Sequence, residues 1–363
     1  MGVCETNKIP DTDWKAFSSK KRKDLILARV PRSEYLKLSS VNKRFLSLIK
    51  SNEIFKMRKE IGFTEQSVFI LATGEENWLA FDRKFKSPRK LPILPSDFCF
   101  TSVGKESLCA GTHLLVTGKE LDGFVIWTYK LATNRWFKGS SMVNPRCKFA
   151  SATDGTFGYV AGGIGIESGR EILGSAEKYN PDDGSWEPLP NMHKKRSSCS
   201  GCFLDDKFYV IGGRNEEEGN LRCGEAFDEE ENTWELIPNM LPNVGVSEAQ
   251  CPPLVAVVNN QLYYVEACEN EIMVFMKKTK SWKKLGGVPV RADCNRGWGV
   301  AFKSLGNELL AIGASSDCYA CHSMTVYTCF PDPEAMKLQW KLLECGGMNR
   351  LRNFIKNCCV MTA

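Results

Sequence analysis

Five tryptophans recur along this chain at near-equal steps: Trp136, Trp186, Trp234, Trp282 and Trp340, separated by 50, 48, 48 and 58 residues. Four have an aromatic seven residues upstream, Tyr129, Tyr179, Phe227 and Phe275, and three have a methionine six residues downstream, Met142, Met192 and Met240. A glycine pair closes an apolar run at Gly162-Gly163 and again at Gly212-Gly213, 50 residues later. A fixed period of this length is the mark of a repeat architecture, in which each unit is one small supersecondary element that needs neighbours to bury its faces.

The clearest unit, Cys147 to Met192, reads as four short strands: Lys148 to Thr153, Phe157 to Ala161, Ser175 to Tyr179 and Ser185 to Leu189. Short apolar or aromatic runs bounded by Asn, Asp, Gly and Pro are strand-and-turn language. One four-stranded sheet cannot bury both faces alone, so the repeats are expected to stand radially, each sheet on the next, as a β-propeller. Trp186 and Trp234 are then expected to be mostly buried between blades, where a large aromatic makes packing specific. The glycine pairs allow a close backbone approach that a β-carbon would block.

The repeat resembles the kelch motif: an apolar strand, Gly-Gly, an aromatic, then Trp. The residues that carry the likeness are Gly162, Gly163, Tyr179, Trp186, Gly212, Gly213, Phe227 and Trp234. It is strong over 147–240 and weaker elsewhere: Gly118 stands alone, Val265-Glu266 and Ile312-Gly313 replace the pair, and Pro88 sits where an early unit should carry Trp. Counting the degenerate units gives six blades, with five as the rival count. The unit beginning at Val68 lacks its first strand, and Asn353 to Met361 has no downstream partner. Pairing the two closes the ring and removes an exposed sheet edge.

The first 62 residues differ. They hold 15 Lys and Arg against 7 Asp and Glu, so the basic excess of the chain lies here. Apolar spacing is helical: Leu25, Ile26, Leu27 and Val30 precede Pro31, which stops a helix, and Tyr35, Leu38, Val41, Phe45, Leu48 and Ile49 follow at intervals of three and four. Leu27-Ala-Arg-Val-Pro-Arg, with Val41, Lys43-Arg44-Phe45 and Leu48-Ile49, resembles an F-box, in the version that plants place before kelch repeats. The family usually opens with Leu-Pro-Asp-Asp, where this chain has Ser18-Ser19-Lys20-Lys21. Replacing acidic residues by lysines at a helix N-terminus is unfavourable by roughly 0.3–1 kcal/mol each. The first helix is therefore expected to start later, near Asp24, with weaker adaptor binding.

The expected layout is a tail at 1–19, a helical F-box module at 20–62 and a mainly β domain, a six-bladed kelch propeller, at 63–363. No stretch approaches membrane-span length. Sixteen cysteines without an apolar signal core read as reduced thiols. Lys20-Lys21-Arg22-Lys23 reads as a nuclear-localisation patch or a solvated turn, so placement is cytoplasmic, nuclear or both. Gly2 with Thr6 fits a myristoylation pattern and Cys4 a second acyl site; the alternative is a plain tail. Cys318, Cys321 and His322 match a haem-attachment spacing but leave a zinc site one ligand short. No cofactor or metal is expected, and no aromatic–basic stripe argues for nucleic acid.

The resemblance implies a non-catalytic, substrate-recruiting subunit of an SCF-type ubiquitin ligase, with a Skp-family adaptor on the F-box and an unidentified target protein on the propeller. It puts Leu27, Val30, Pro31, Leu36, Val41, Phe45, Leu48 and Ile49 at the adaptor or in the module's own core. A kelch scaffold without a ligase role is the second reading. An enzyme is the third, and it is poorly supplied, since His113, His193 and His322 lie in distant repeats. Arg146 and Arg196 follow their tryptophans by ten residues, and Arg296 and Arg352 by 14 and 12. In a radial repeat these four share one rim. They either dock an acidic or phosphorylated target segment or bond loop carbonyls of their own blades.

Overall fold

The computed structural model describes residues 19–86, 88–102, 106–166, 169–242, 251–292, 299–314, 324–344 and 354–363. The chain divides into two units: Met1–Glu65 with Ala363, and Gln66–Thr362. Gly2, Cys4, Thr6, Arg296, Cys318, Cys321, His322 and Arg352 lie outside the described residues, as do the side chains of residues 19–22 and Leu36.

The first unit is four helices: α1 (Ser19–Ala28), α2 (Tyr35–Val41), α3 (Lys43–Lys50) and α4 (Glu53–Glu60). The expected late start near Asp24 is corrected: α1 begins at Ser19, with no acidic residue in its first turn. Lysine is a good helix former and the dipole penalty is small, while Leu25, Leu27 and Ala28 are buried and hold the helix from its other end. Pro31 follows α1 in the extended conformation and starts a single 3₁₀ turn, Arg32–Glu34. Asn42 separates α2 from α3 and caps α3, its side chain accepting from Phe45 N at 2.9 Å. Phe63 and Glu65 belong with the helices because both meet Arg58. Its guanidinium stands 5.0 Å from the Phe63 ring centroid, and Nη2 lies 3.1 Å from Glu65 Oε2.

The second unit is a ring of six four-stranded antiparallel sheets among the described residues, the architecture expected from the Trp period. From the inside outwards, blade 1 is Ile355–Thr362, Gln66–Ala72, Leu79–Asp82 and Arg89–Lys90. Blade 2 is Glu106–Ala110, His113–Glu120, Gly123–Lys130 and Arg135–Lys138, and blade 3 is Ala150–Thr153, Gly158–Ala161, Ala176–Asn180 and Ser185–Leu189. Blade 4 is Ser200–Leu204, Lys207–Ile211, Gly224–Asp228 and Thr233–Ile237. Blade 5 is Leu254–Val258, Gln261–Glu266, Glu271–Met276 and Ser281–Gly287, and blade 6 is Ala301–Leu305, Glu308–Ala314, Met324–Cys329 and Lys341–Leu343. Each inner strand touches the next, and the sixth touches the first, so the ring is closed. Ile355–Thr362 pairs with Gln66–Ala72, from Gln66↔Thr362 to Ala72↔Ile355, the pairing that the sequence suggested.

The periodic residues carry the packing. Tyr129, Tyr179, Phe227 and Phe275 stand directly opposite Trp136, Trp186, Trp234 and Trp282 across the outer hairpin of their blades. Their ring centroids are 5.0–5.4 Å apart. Each indole N–H then reaches back to a carbonyl of the preceding blade: Trp136 to Pro92 (2.9 Å), Trp186 to Ser140 (3.2 Å), Trp234 to Pro190 (2.8 Å) and Trp282 to Met240 (3.0 Å). Trp234 is buried at 7 % exposure. Trp186 keeps partial exposure while packing against the apolar cluster shared by blades 2 and 3. The two tryptophans that bond a proline carbonyl, Trp136 and Trp234, are buried; the two that bond Ser140 or Met240 are partly open. The glycine pairs behave alike. A β-carbon on Gly163 would lie 2.6 Å from Cys147 O, and one on Gly213 2.6 Å from Ser197 O, with φ at +95° and +89°. The long final step to Trp340 comes from an extended connection, 330–340, between the last two strands of blade 6.

His113 is buried on blade 2, with Nδ1 3.1 Å from Tyr179 Oη on blade 3. Burial, reinforced by Lys130, pulls its pKa from 6.5 to about 4. A folded-state pKa below the unfolded one means that the unfolded chain binds the extra proton between those values. Stability is therefore full above about pH 6.5 and falls by ~3 kcal/mol as pH drops towards 4. Urea unfolding at pH 7 and pH 4.5 should show this loss, reduced in His113→Gln; an equal loss in the variant would assign the effect elsewhere.

Candidate interaction surfaces

The helical module sorts its apolar residues into two sets. Leu27 and Ile49 are core residues, beside Leu25, Ala28, Tyr35, Ile54 and Phe55. Val30, Phe45 and Leu48 are half-buried, and Pro31 and Val41 are exposed, Val41 at 66 %. Ile26, at 59 %, joins the exposed set and was not among the expected contact residues. The scaffold beneath them is pinned by Arg58, fully buried on α4. Its Nη1 donates to Ala28 O (3.0 Å), Val30 O (2.8 Å) and Tyr35 Oη (2.9 Å), satisfying carbonyls that the end of α1 leaves open. Glu65 ties Arg58 to Arg32, whose Nε donates to the same carboxylate at 2.9 Å. A lone arginine on a short helix carries no sequence signal for such a role.

On the propeller, Arg146 and Arg196 occupy equivalent places but are fully buried, so the expected exposed arginine rim is corrected for both. Arg146 Nη2 meets Glu177 Oε1 at 2.5 Å, and Nη1 donates to Gly162 O and Ser175 O at 3.1 and 2.6 Å. Arg196 repeats this with Glu225 Oε1 at 2.6 Å and with Gly212 O and Cys223 O at 3.0 and 3.1 Å. Each carboxylate also accepts two loop N–H groups: Val143 and Asn144 for Glu177, His193 and Lys194 for Glu225. Burial lowers the Arg146 pKa and Glu177 opposes that shift. These guanidinium groups are spent on their own blades, holding the loop that leads into each inner strand. Their partners were visible only as a glutamate two residues before the blade aromatic, Glu177 before Tyr179 and Glu225 before Phe227.

Strand direction alternates, so loops after second and fourth strands leave on one face and those after first and third strands on the other. The connections after first strands are short, such as 111–112, 205–206 and 259–260. The connections after fourth strands, on the opposite face, are long, such as 91–105 and 139–149. That long-loop face presents exposed apolar side chains: Ile93 (76 %), Leu121 (68 %) and Val143 (56 %). Asp97 fastens one loop to another there, accepting Leu121 N at 2.6 Å and Phe100 N at 3.1 Å, and these backbone donors lower its pKa.

Comparison with known proteins matches both the helical unit and the ring. The F-box domain model matches residues 24–57 and the Kelch motif model residues 195–241. The F-box/kelch-repeat protein At3g27150 of Arabidopsis thaliana is 54 % identical, over 93 % of this chain and 81 % of its own. At1g26930, from the same plant and of the same description, is 39 % identical over 93 % and 80 %. A solved structure described as that of YjhT superposes with a TM-score of 0.56 over 76 % of this chain and 94 % of its own, at 14 % identity, a likeness of fold alone. With helices that fit one motif, a ring built on the other, and relatives that carry both along nearly the same length, the chain belongs to the F-box/kelch-repeat family.

Proposed function

We propose that this chain is the substrate-recruiting subunit of an SCF-type ubiquitin ligase. The F-box helices dock on a Skp-family adaptor and the propeller holds a target protein on its long-loop face. The observation that carries the reading is that Ile26, Pro31 and Val41 of the F-box-matching helices stand in solvent. In the F-box resemblance, Pro31 and Val41 are among the residues placed at the adaptor, and their exposure leaves them free for such a contact. The chain makes and breaks no bond in this reading. It raises the target's effective concentration near the ubiquitin-charged enzyme, and it works in the cytoplasm or nucleus.

Pro31→Glu with Val41→Glu should weaken capture of a purified Skp-family adaptor by the full chain at least ~100-fold, as expected when charges enter an apolar contact. Both positions are exposed, so the thermal melt should not move. If the unaltered chain binds no Skp-family adaptor, the ligase reading falls and the propeller remains as an interaction scaffold.

A further inference from the structure

The six innermost strands surround the axis of the ring, and among the described residues they hold three charged side chains: Glu106 on blade 2, Lys303 on blade 6 and Lys356 on blade 1. Glu106 is already engaged, accepting Lys148 N at 2.6 Å. Both lysines are exposed. Among the described residues neither has a carboxylate partner, and Glu308 of blade 6 is taken by Arg83.

Lys303 is the middle residue of Ala301–Leu305. Ala301 and Leu305, on its own side of the strand, are buried in the cluster shared with blade 1. Phe302, on the other side, is buried in the cluster shared with blade 5. A mid-strand residue on an innermost strand of a closed ring meets solvent only along the axis, so Lys303 opens to the central channel. Lys356 stands nearer the surface. Ile355 N donates to Gly299 O at 2.8 Å, which sets the start of Ile355–Thr362 beside the residues just ahead of Ala301. First strands run inwards from the long-loop face. Lys356 is therefore at that mouth, and Lys303 lies roughly 10 Å further in, three residues along a strand. Beside Lys356, Ser107 Oγ donates to Asn357 Oδ1 across the seam with blade 2.

Residues 63–363 carry 33 Lys and Arg against 36 Asp and Glu, so the two lysines stand against a net acidic domain. A channel with low-dielectric walls focuses the field of the charges that line it. We propose that the channel is an anion site entered from the long-loop face, with Lys356 at its mouth and Lys303 inside, taking two linked phosphate or carboxylate groups. Two ammonium groups on flexible stems at that separation suit a diphosphate. They equally suit two acidic side chains two residues apart on an extended chain, roughly 7 Å from each other. The anion is thus a free small molecule or an acidic segment of a protein laid over the mouth. The site is built by the ring alone and holds whatever the F-box binds.

Calorimetric titration of the full chain at low salt tests this with two probes, inorganic pyrophosphate and hexaglutamate. At least one should bind, and Lys303→Gln should weaken that binding at least ~10-fold, the loss of one charged hydrogen bond. Lys356→Gln should weaken it as well. Lys278→Gln, at an exposed position of the outer hairpin of blade 5, should not. Binding of pyrophosphate assigns a free anion to the site, and binding of hexaglutamate alone assigns an acidic protein segment. In the unaltered chain the bound probe should also protect Lys303 from pyridoxal phosphate and borohydride while Lys278 stays reactive, a readout by mass spectrometry that needs no variant to fold. Binding of neither probe, binding unchanged in Lys303→Gln, or equal protection of Lys278 would overturn the proposal.

Discussion

Removing residues 355–363 is expected to unfold the whole ring rather than fray one edge. Those residues form the inner strand of blade 1, which also touches the inner strands of blades 2 and 6. Ile355 and Cys358 share one apolar cluster with Val68, Ile70, Leu310 and Ile312, so two blades lose core at once. Burying Ile355, Cys358, Cys359 and Met361 contributes on the order of 6 kcal/mol, before counting the hydrogen bonds to Gln66–Ala72. Whole domains rest on only about 5–15 kcal/mol. The truncated chain should therefore lose amide exchange protection in blades 3, 4 and 5, which the deletion does not touch. Protection kept in those blades would show that the ring does not depend on closure.

The second large effect belongs to the paired Arg and Glu beneath the long loops. Glu177→Leu leaves Arg146 buried without its counter-charge and should cost about 3–5 kcal/mol, and Glu225→Leu should do the same to Arg196. Adding Arg146→Met to Glu177→Leu should recover about 2 kcal/mol, because an apolar pair of similar volume is tolerated where a lone charge is not. Recovery stays partial, since Val143 N and Asn144 N keep no carboxylate to donate to. Urea unfolding of Glu177→Leu, of Arg146→Met and of the double variant measures this coupling. Additive losses in the double variant would mean that the two side chains do not stabilise one another.

The ring was legible because its packing is periodic. Trp, its opposing aromatic and the glycine pair do the same work in successive blades, so they recur in register. The strands of blade 3 fall within two residues of their expected starts. Individual partners were not legible. Arg146 stood out in register, but nothing local says that Glu177 folds beneath it and removes it from the surface. Arg58 left no trace at all, since its partners are carbonyls and a tyrosine from another part of the helical module. Val41 and Leu27 look alike in sequence and differ only in which side of a helix faces the core. Blade 1 hides for a further reason: it has no tryptophan in the periodic place and buries Trp78 instead.

The strand that completes blade 1 also sets an order on synthesis. Gln66–Ala72 leaves the ribosome among the first parts of the ring, and Ile355–Thr362 comes after all of the other blades. Until then the Gln66–Ala72 edge, with Val68, Phe69 and Ile70 on it, has no inner partner and is open to pairing with other chains. Helices can form as they emerge, because their contacts are local. A nascent molecule thus carries a finished helical module for as long as the ring stays open. Chaperone protection would be needed most in that interval, and shortening the delay by circular permutation, with Asn353–Thr362 moved ahead of Gln66, should lower aggregation during expression.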